Sequence, residues 1–140
     1  MSEIHAILFS NESFYLAFAG RDVPMMEDIW AKKAPVSCGH PGWPLIKGRE
    51  EVLESWGNIL SNAGTFSIEC RHPTAHFAGD AGYVTCYEIL DEASLLATNV
   101  FIRENGIWKM VHHQAGPAPE PEEEDEDFDD EIEDFPSTVQ

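Results

Sequence analysis

"ATNVFIRENGIWKMVHHQAG", residues 97–116, alternates apolar and polar side chains on both sides of Asn105-Gly106. That dipeptide favours a type I′ turn, because both central positions need positive φ. A two-residue turn there pairs Glu104 with Ile107, Arg103 with Trp108, Phe101 with Met110 and Asn99 with His112. Working back from it, the period stays at two as far as Thr65. Four strands are predicted, at 65–77, 82–91, 94–104 and 107–115, separated by "AGDAG", "DEAS" and "ENG". A turn around Glu92-Ala93 pairs Leu90 with Leu95, Glu88 with Ala97 and Cys86 with Asn99.

Upstream the period changes to that of a helix. "EIHAILFSNESFYLAFAGRD" carries Ile4, Ile7, Leu8, Asn11, Phe14, Tyr15 and Phe18 at helical spacing, and Gly20 ends it. Asp22 is placed to cap a second, short helix with Pro24 in its first turn. Gly48 opens a third, whose stripe is Val52, Leu53, Trp56, Ile59 and Leu60. "PVSC" offers a short extra strand before the loop "SCGHPGWPLIKG" (37–48). Three helices followed by long antiparallel strands make an α+β chain.

The 140 residues suffice for one core without staples. The formal charge of −18 is concentrated in residues 120–134, which hold 12 of the 26 acids and no base. The remainder has 14 acids against 8 bases and no basic stripe, which argues against a nucleic-acid surface. No apolar run approaches the roughly 20 residues of a membrane span, and no leader pattern opens the chain. Three cysteines, an odd count, read as reduced thiols in a cytoplasmic protein. The expected organisation is a folded domain over 1–116 and an acidic tail over 117–140. The tail has too little apolar surface to fold alone. Its Phe128, Ile132 and Phe135 recur at helical spacing and could meet a basic partner groove.

"SFYLAFAGRDVPMMEDIWA", "SCGHPGWPLIKGREEVLESW" and "ATNVFIRENGIWKMVHHQAG", in that order, resemble the SnoaL-like branch of the nuclear transport factor 2-like superfamily. The resemblance covers about residues 3–117, and the last stretch also resembles calcium/calmodulin-dependent kinase association domains. It implies a cone-shaped curved antiparallel sheet, a cystatin-like roll, wrapped around the three N-terminal helices. A pocket is then expected at the mouth of the cone and dimerisation on the outer sheet surface.

On the expected pairing, Cys86, Glu88, Asn99, Phe101, Met110, His112 and Gln114 share the pocket face. Glu88 and His112 are the candidate acid–base pair, since burial raises a carboxyl pKa and histidine titrates near neutrality. Asn99 and Gln114 would orient a ligand, and Cys86, Phe101 and Met110 would line the site. Tyr15 and Trp30 offer polar tips from the helices, and His40 and Trp43 would shape the entrance. Tyr83, Thr85, Tyr87, Ile89, Leu96, Thr98, Val100, Ile102, Val111 and His113 fall on the outer face. No metal-ligand motif is present and no cofactor is implied. Two functional classes stand. One is a homodimer binding a small apolar ligand, with isomerase, cyclase or hydratase chemistry as candidate activities. The other is a non-catalytic interaction domain with a partner-recruiting tail.

Overall fold

The computed structural model describes residues 2–62 and 67–122. Helix α1, Glu3–Gly20, starts where Ser2 Oγ accepts the His5 N–H, and ends on Arg21 in the left-handed region (φ 55°). Helix α2, Val23–Ile29, is capped by Asp22 through the Met25 N–H, with proline in its first turn. The Arg49 guanidinium closes its far end by donating to the carbonyls of Glu27, Trp30 and Ala31. Helix α3, Arg49–Ser61, begins at Gly48 and buries Val52, Ser55, Trp56 and Leu60.

The strands are β1 (Ser37–Gly39), β2 (Ile46–Lys47), β3 (Ile68–Ala78), β4 (Ala81–Leu90), β5 (Ser94–Glu104) and β6 (Ile107–Pro117). They form one open sheet in the order β2-β1-β6-β5-β4-β3. Strand β1 pairs parallel with β6, so the sheet is mixed, where antiparallel pairing alone was expected. The core lies between the inner sheet face and the helices, with Phe14, Met26, Trp30, Trp56, Phe101 and Met110 all at most 1% exposed. Gly82 permits the close approach of α1, since a Cβ there would lie 2.6 Å from the Ile7 Cδ1.

Two register details differ from the expected pairing, and one changes which residues face inward. Between β4 and β5, Glu88 pairs with Leu95, Cys86 with Ala97 and Val84 with Asn99. The "DEAS" turn has no glycine or Asn-Gly pair to fix its length, and the register is slipped by two, which preserves the faces. Between β5 and β6 the pairs next to Asn105-Gly106 are as expected out to Phe101 and Met110. Beyond them a bulge inserts Val111, so Val100 pairs with His112 and Asn99 with His113. A single extra residue exchanges the faces of everything that follows it. His113 is therefore buried at 1% exposure, while His112 and Gln114 turn outward.

The predicted strand start at Thr65 and Phe66 lies outside the described residues. The tail assignment does so beyond Glu122, and with it Phe128, Ile132 and Phe135.

Candidate functional site

Inside the cone five polar side chains from four elements meet: Asn11 and Tyr15 of α1, Glu88 of β4, Asn99 of β5 and His113 of β6. The Tyr15 hydroxyl donates to Glu88 Oε2 at 2.6 Å. Having spent its one proton, it accepts from Asn99 Nδ2 at 3.1 Å. The same amide nitrogen donates to Asn11 Oδ1 at 2.9 Å. Asn99 Oδ1 lies 2.6 Å from His113 Nδ1, and with the amide donors directed away, this ring nitrogen carries the proton. The hydrogen bonds then run in one direction, from His113 through Asn99 and Tyr15 to Glu88, with a branch from Asn99 to Asn11. The unprotonated His113 Nε2 faces Glu88 Oε2 at 3.8 Å, beyond hydrogen-bond reach.

Burial sets the charge states. Desolvation pushes the Glu88 carboxyl up to about 7, against a smaller opposing effect of the Tyr15 hydrogen bond. It lowers His113 to about 3, keeping the imidazole neutral, and the neighbouring His40 and His112 add to that effect. The Tyr15 phenol is raised well above its ordinary value, first by burial and then by the Glu88 charge, so it remains a donor. At neutral pH the network thus contains one group poised to exchange a proton, Glu88, with a phenol hydrogen-bonded to it.

A cleft of about 350 Å³ runs along the outside of this network, between α1 and β3. Leu8, Leu16, Ala19, Ile68 and Pro73 give it apolar walls, and Asn11, Glu12, Tyr15 and Cys70 complete its lining. Asn11 Nδ2 donates to the Cys70 sulfur at 3.8 Å, a weak acceptor. It is therefore a donor open to a better partner.

The other expected site residues fall elsewhere. Trp30, Phe101 and Met110 are fully buried core residues, and Cys86 sits beneath Tyr15 with its sulfur 3.3 Å from the hydroxyl. His112 is bound to Ser37 Oγ at 2.7 Å and to Gln114 Oε1 at 3.2 Å on the outer face, so neither His112 nor Gln114 reaches Glu88. His40 Nε2 lies 3.0 Å from Ser55 Oγ, whose proton goes to the Val52 carbonyl, so His40 is the donor. Trp43 packs edge-on against His40 at 4.7 Å and is half exposed. Neither residue lines the α1/β3 cleft. The 37–48 loop is thus a small hairpin of β1 and β2 packed on α3, and not a cover over that cleft. Asn11 and His113 are the members that the expected faces omitted. Asn11 carried a legible signal, a polar residue inside an apolar helical stripe, whereas His113 was hidden by the bulge.

Residues 7–119 match the model of the SnoaL-like domain. The chain belongs to the SnoaL-like family. Its solved relatives include a "putative dehydratase from the NTF2-like family" of Streptomyces avermitilis, 30% identical with a TM-score of 0.76. That match covers 84% of this chain and 97% of the other. A "putative calcium/calmodulin-dependent protein kinase type II association domain" of Thiobacillus denitrificans is also 30% identical, with a TM-score of 0.66, over 79% and 93% of the two chains. Among curated proteins, F-box protein SKIP8 of Arabidopsis thaliana is 30% identical over 112 residues, 79% of this chain. The SnoaL-like chain spans 48% of that relative's length, about half. Among the described residues no group of three or more His, Cys, Asp or Glu side chains could hold a metal ion. No described helix is long and apolar enough to cross a membrane.

Proposed function

We propose that this SnoaL-like domain binds a small, largely apolar molecule bearing a carbonyl or hydroxyl group in the α1/β3 cleft. Asn11 and Tyr15 would hold the polar group, and Glu88 would take up or deliver a proton through Tyr15. The observation that carries this reading is that Tyr15, in the wall of a largely apolar cleft, donates at 2.6 Å to the Glu88 carboxyl behind it, whose pKa is raised to about 7. Clefts with apolar walls and a few convergent polar groups are the usual form of small-ligand sites. The related "putative dehydratase" favours acid–base chemistry of the isomerase, cyclase or hydratase kind. Three free cysteines suit a reducing, cytoplasmic setting.

The test is a thermal-shift panel of small hydrophobic ketones and alcohols, with native mass spectrometry of protein purified from its own host. A ligand should raise Tm in the parent chain, and Tyr15→Phe with Asn11→Leu should remove most of that shift in protein whose circular dichroism is unchanged. A shift that persists in the double variant would place the ligand elsewhere. No shift with any compound, and no co-purified ligand, would leave the non-catalytic reading in its place.

That second reading has its own support. The outer sheet face carries Tyr83 and Leu96, 36% and 45% exposed, amid the half-buried Tyr87, Ile89, Val100, Ile102 and Val111. Together with the likeness to a kinase association domain, this face supports a homodimer paired through the sheet. In this reading the acidic stretch beyond Glu122 recruits a basic protein partner.

A further inference from the structure

Cys70 and Cys86 stand apart from Cys38, the third thiol. Cys70 lies opposite Glu88 in the β3/β4 ladder, and Cys86 is two residues along on the same inner face. Next to Cys70 the ladder is irregular: Arg71 pairs with Tyr87 and Thr74 with Thr85, so His72 and Pro73 together oppose Cys86. His72 takes a positive φ of 56° to make this bulge. A bulge bends its strand, and here Cys70 and Cys86 lie close enough on the inner face to influence one another's ionisation. Other contacts fix both atoms. Asn11 Nδ2 is 3.8 Å from the Cys70 sulfur, and Tyr15 Oη is 3.3 Å from that of Cys86. Cys70 is partly exposed and lines the cleft, whereas Cys86 is buried beneath it.

We propose that Cys70 and Cys86 form a dithiol redox site that a hydroperoxide entering the α1/β3 cleft converts to a disulfide. Cys70, partly exposed in the cleft wall, is the sulfur that an entering peroxide meets first. As the Cys70 thiol attacks the peroxide, its proton goes to the departing oxygen. The O–O bond breaks, one oxygen stays on Cys70 as a sulfenic acid, and the other leaves as water. Cys86 then attacks the Cys70 sulfur, the S–O bond breaks, and that hydroxyl leaves with the Cys86 proton as water. Two thiols are oxidised by two electrons and the peroxide is reduced by two. A small dithiol reverses the change by exchange, becoming a disulfide itself. The bond would tie the cleft wall on β3 to β4 and draw the Cys70 sulfur away from Asn11, so the state of the pair would alter the cleft. This inference does not depend on the ligand reading.

The experiment is to treat the full folded chain with hydrogen peroxide, block remaining thiols under denaturing conditions, and map the peptides by mass spectrometry. The expected product is lighter by two hydrogens, carries a Cys70–Cys86 cross-link and one blocked thiol at Cys38, and regains three thiols with dithiothreitol. Its Tm should exceed that of the reduced chain, because the link closes a loop in the unfolded state. Cys86→Ser should abolish the cross-link and leave a sulfenic acid at Cys70 that dimedone traps. Oxygen added at Cys70 of the parent chain without a cross-link, a cross-link to Cys38, or thiols that react only after unfolding would each overturn the proposal. The parent chain alone decides between these outcomes if the variant does not fold.

Discussion

The two faces of the sheet handle polar side chains in opposite ways. On the inner face Glu88, Asn99 and His113 are at most 2% exposed and bond to one another and to α1. On the outer face His112 and Gln114 keep one another company at 3.2 Å beside solvent, among half-exposed apolar neighbours. A buried polar group without a partner costs more than a typical hydrogen bond contributes, so the inner set must be complete to be tolerated at all. The outer set has water as an alternative. The inner face therefore has a fixed arrangement with shifted pKa values, and the outer face is free to be an interface.

The strongest test of this contrast is a pair of adjacent residues. Asn99→Ala removes the shared partner of Asn11, Tyr15 and His113, leaving buried donors and acceptors unmade. A loss of about 4 kcal/mol is expected by urea unfolding. Thr98→Ala, one position away on the outer face, should change stability by about 0.5 kcal/mol or less. Equal costs at both positions would mean that the inner network contributes no more than an ordinary surface contact.

The same contrast marks how far the sequence could be read. The helix boundaries were legible because Asp22, Pro24 and Gly48 act locally, through capping and backbone freedom, although at the end of α1 it is Arg21 and not Gly20 that takes the left-handed turn. The β5/β6 hairpin was legible for as many residues as its turn controls, from Glu104 and Ile107 to Phe101 and Met110. Past that point the bulge at Val111 has no glycine or proline to announce it. It falls where β6 takes on a second neighbour, β1, in addition to β5, a tertiary setting that local sequence does not announce. Two adjacent histidines made the error invisible, since either one suits a polar position opposite Asn99. Glu88, Asn99 and Tyr15 were nonetheless placed in the interior correctly, and their roles there remain the proposal made above.

A second prediction uses the pH dependence that only the inner face should have. Glu88 titrates near 7 in the folded chain, against an ordinary value of 4.5. Below pH 4.5 it is neutral in both states. As pH rises toward 7, the unfolded chain releases this proton first, so the wild type loses stability over that window. Glu88→Gln keeps the shape and the acceptor for Tyr15 but has no charge to bury. The stability difference between variant and wild type should move in favour of the variant by about 3 kcal/mol from pH 4.5 to 8. His113 and His40, lowered by burial, act in the opposite sense in both proteins, because their contribution is lost as pH falls, and so cancel in the difference. Urea titrations at three pH values decide it, and a difference independent of pH would show that Glu88 ionises as freely as on a surface.

The smallest change in stability belongs to the outer face, and there the readout is mass and not folding. Leu96 projects 45% of its surface from the outer face of the sheet. Leu96→Lys should leave monomer stability within about 0.5 kcal/mol, as for most exposed substitutions. If the sheet is the contact between two copies, the change sets two buried ammonium groups near the centre of the interface, with burial opposing both. Light scattering after size exclusion should then show a dimer for the parent chain and a monomer for the variant. A parent chain that is already monomeric, or a dimer that survives Leu96→Lys, would remove the outer face as the contact. The half-exposed apolar groups there would then be surface residues that a soluble domain tolerates singly.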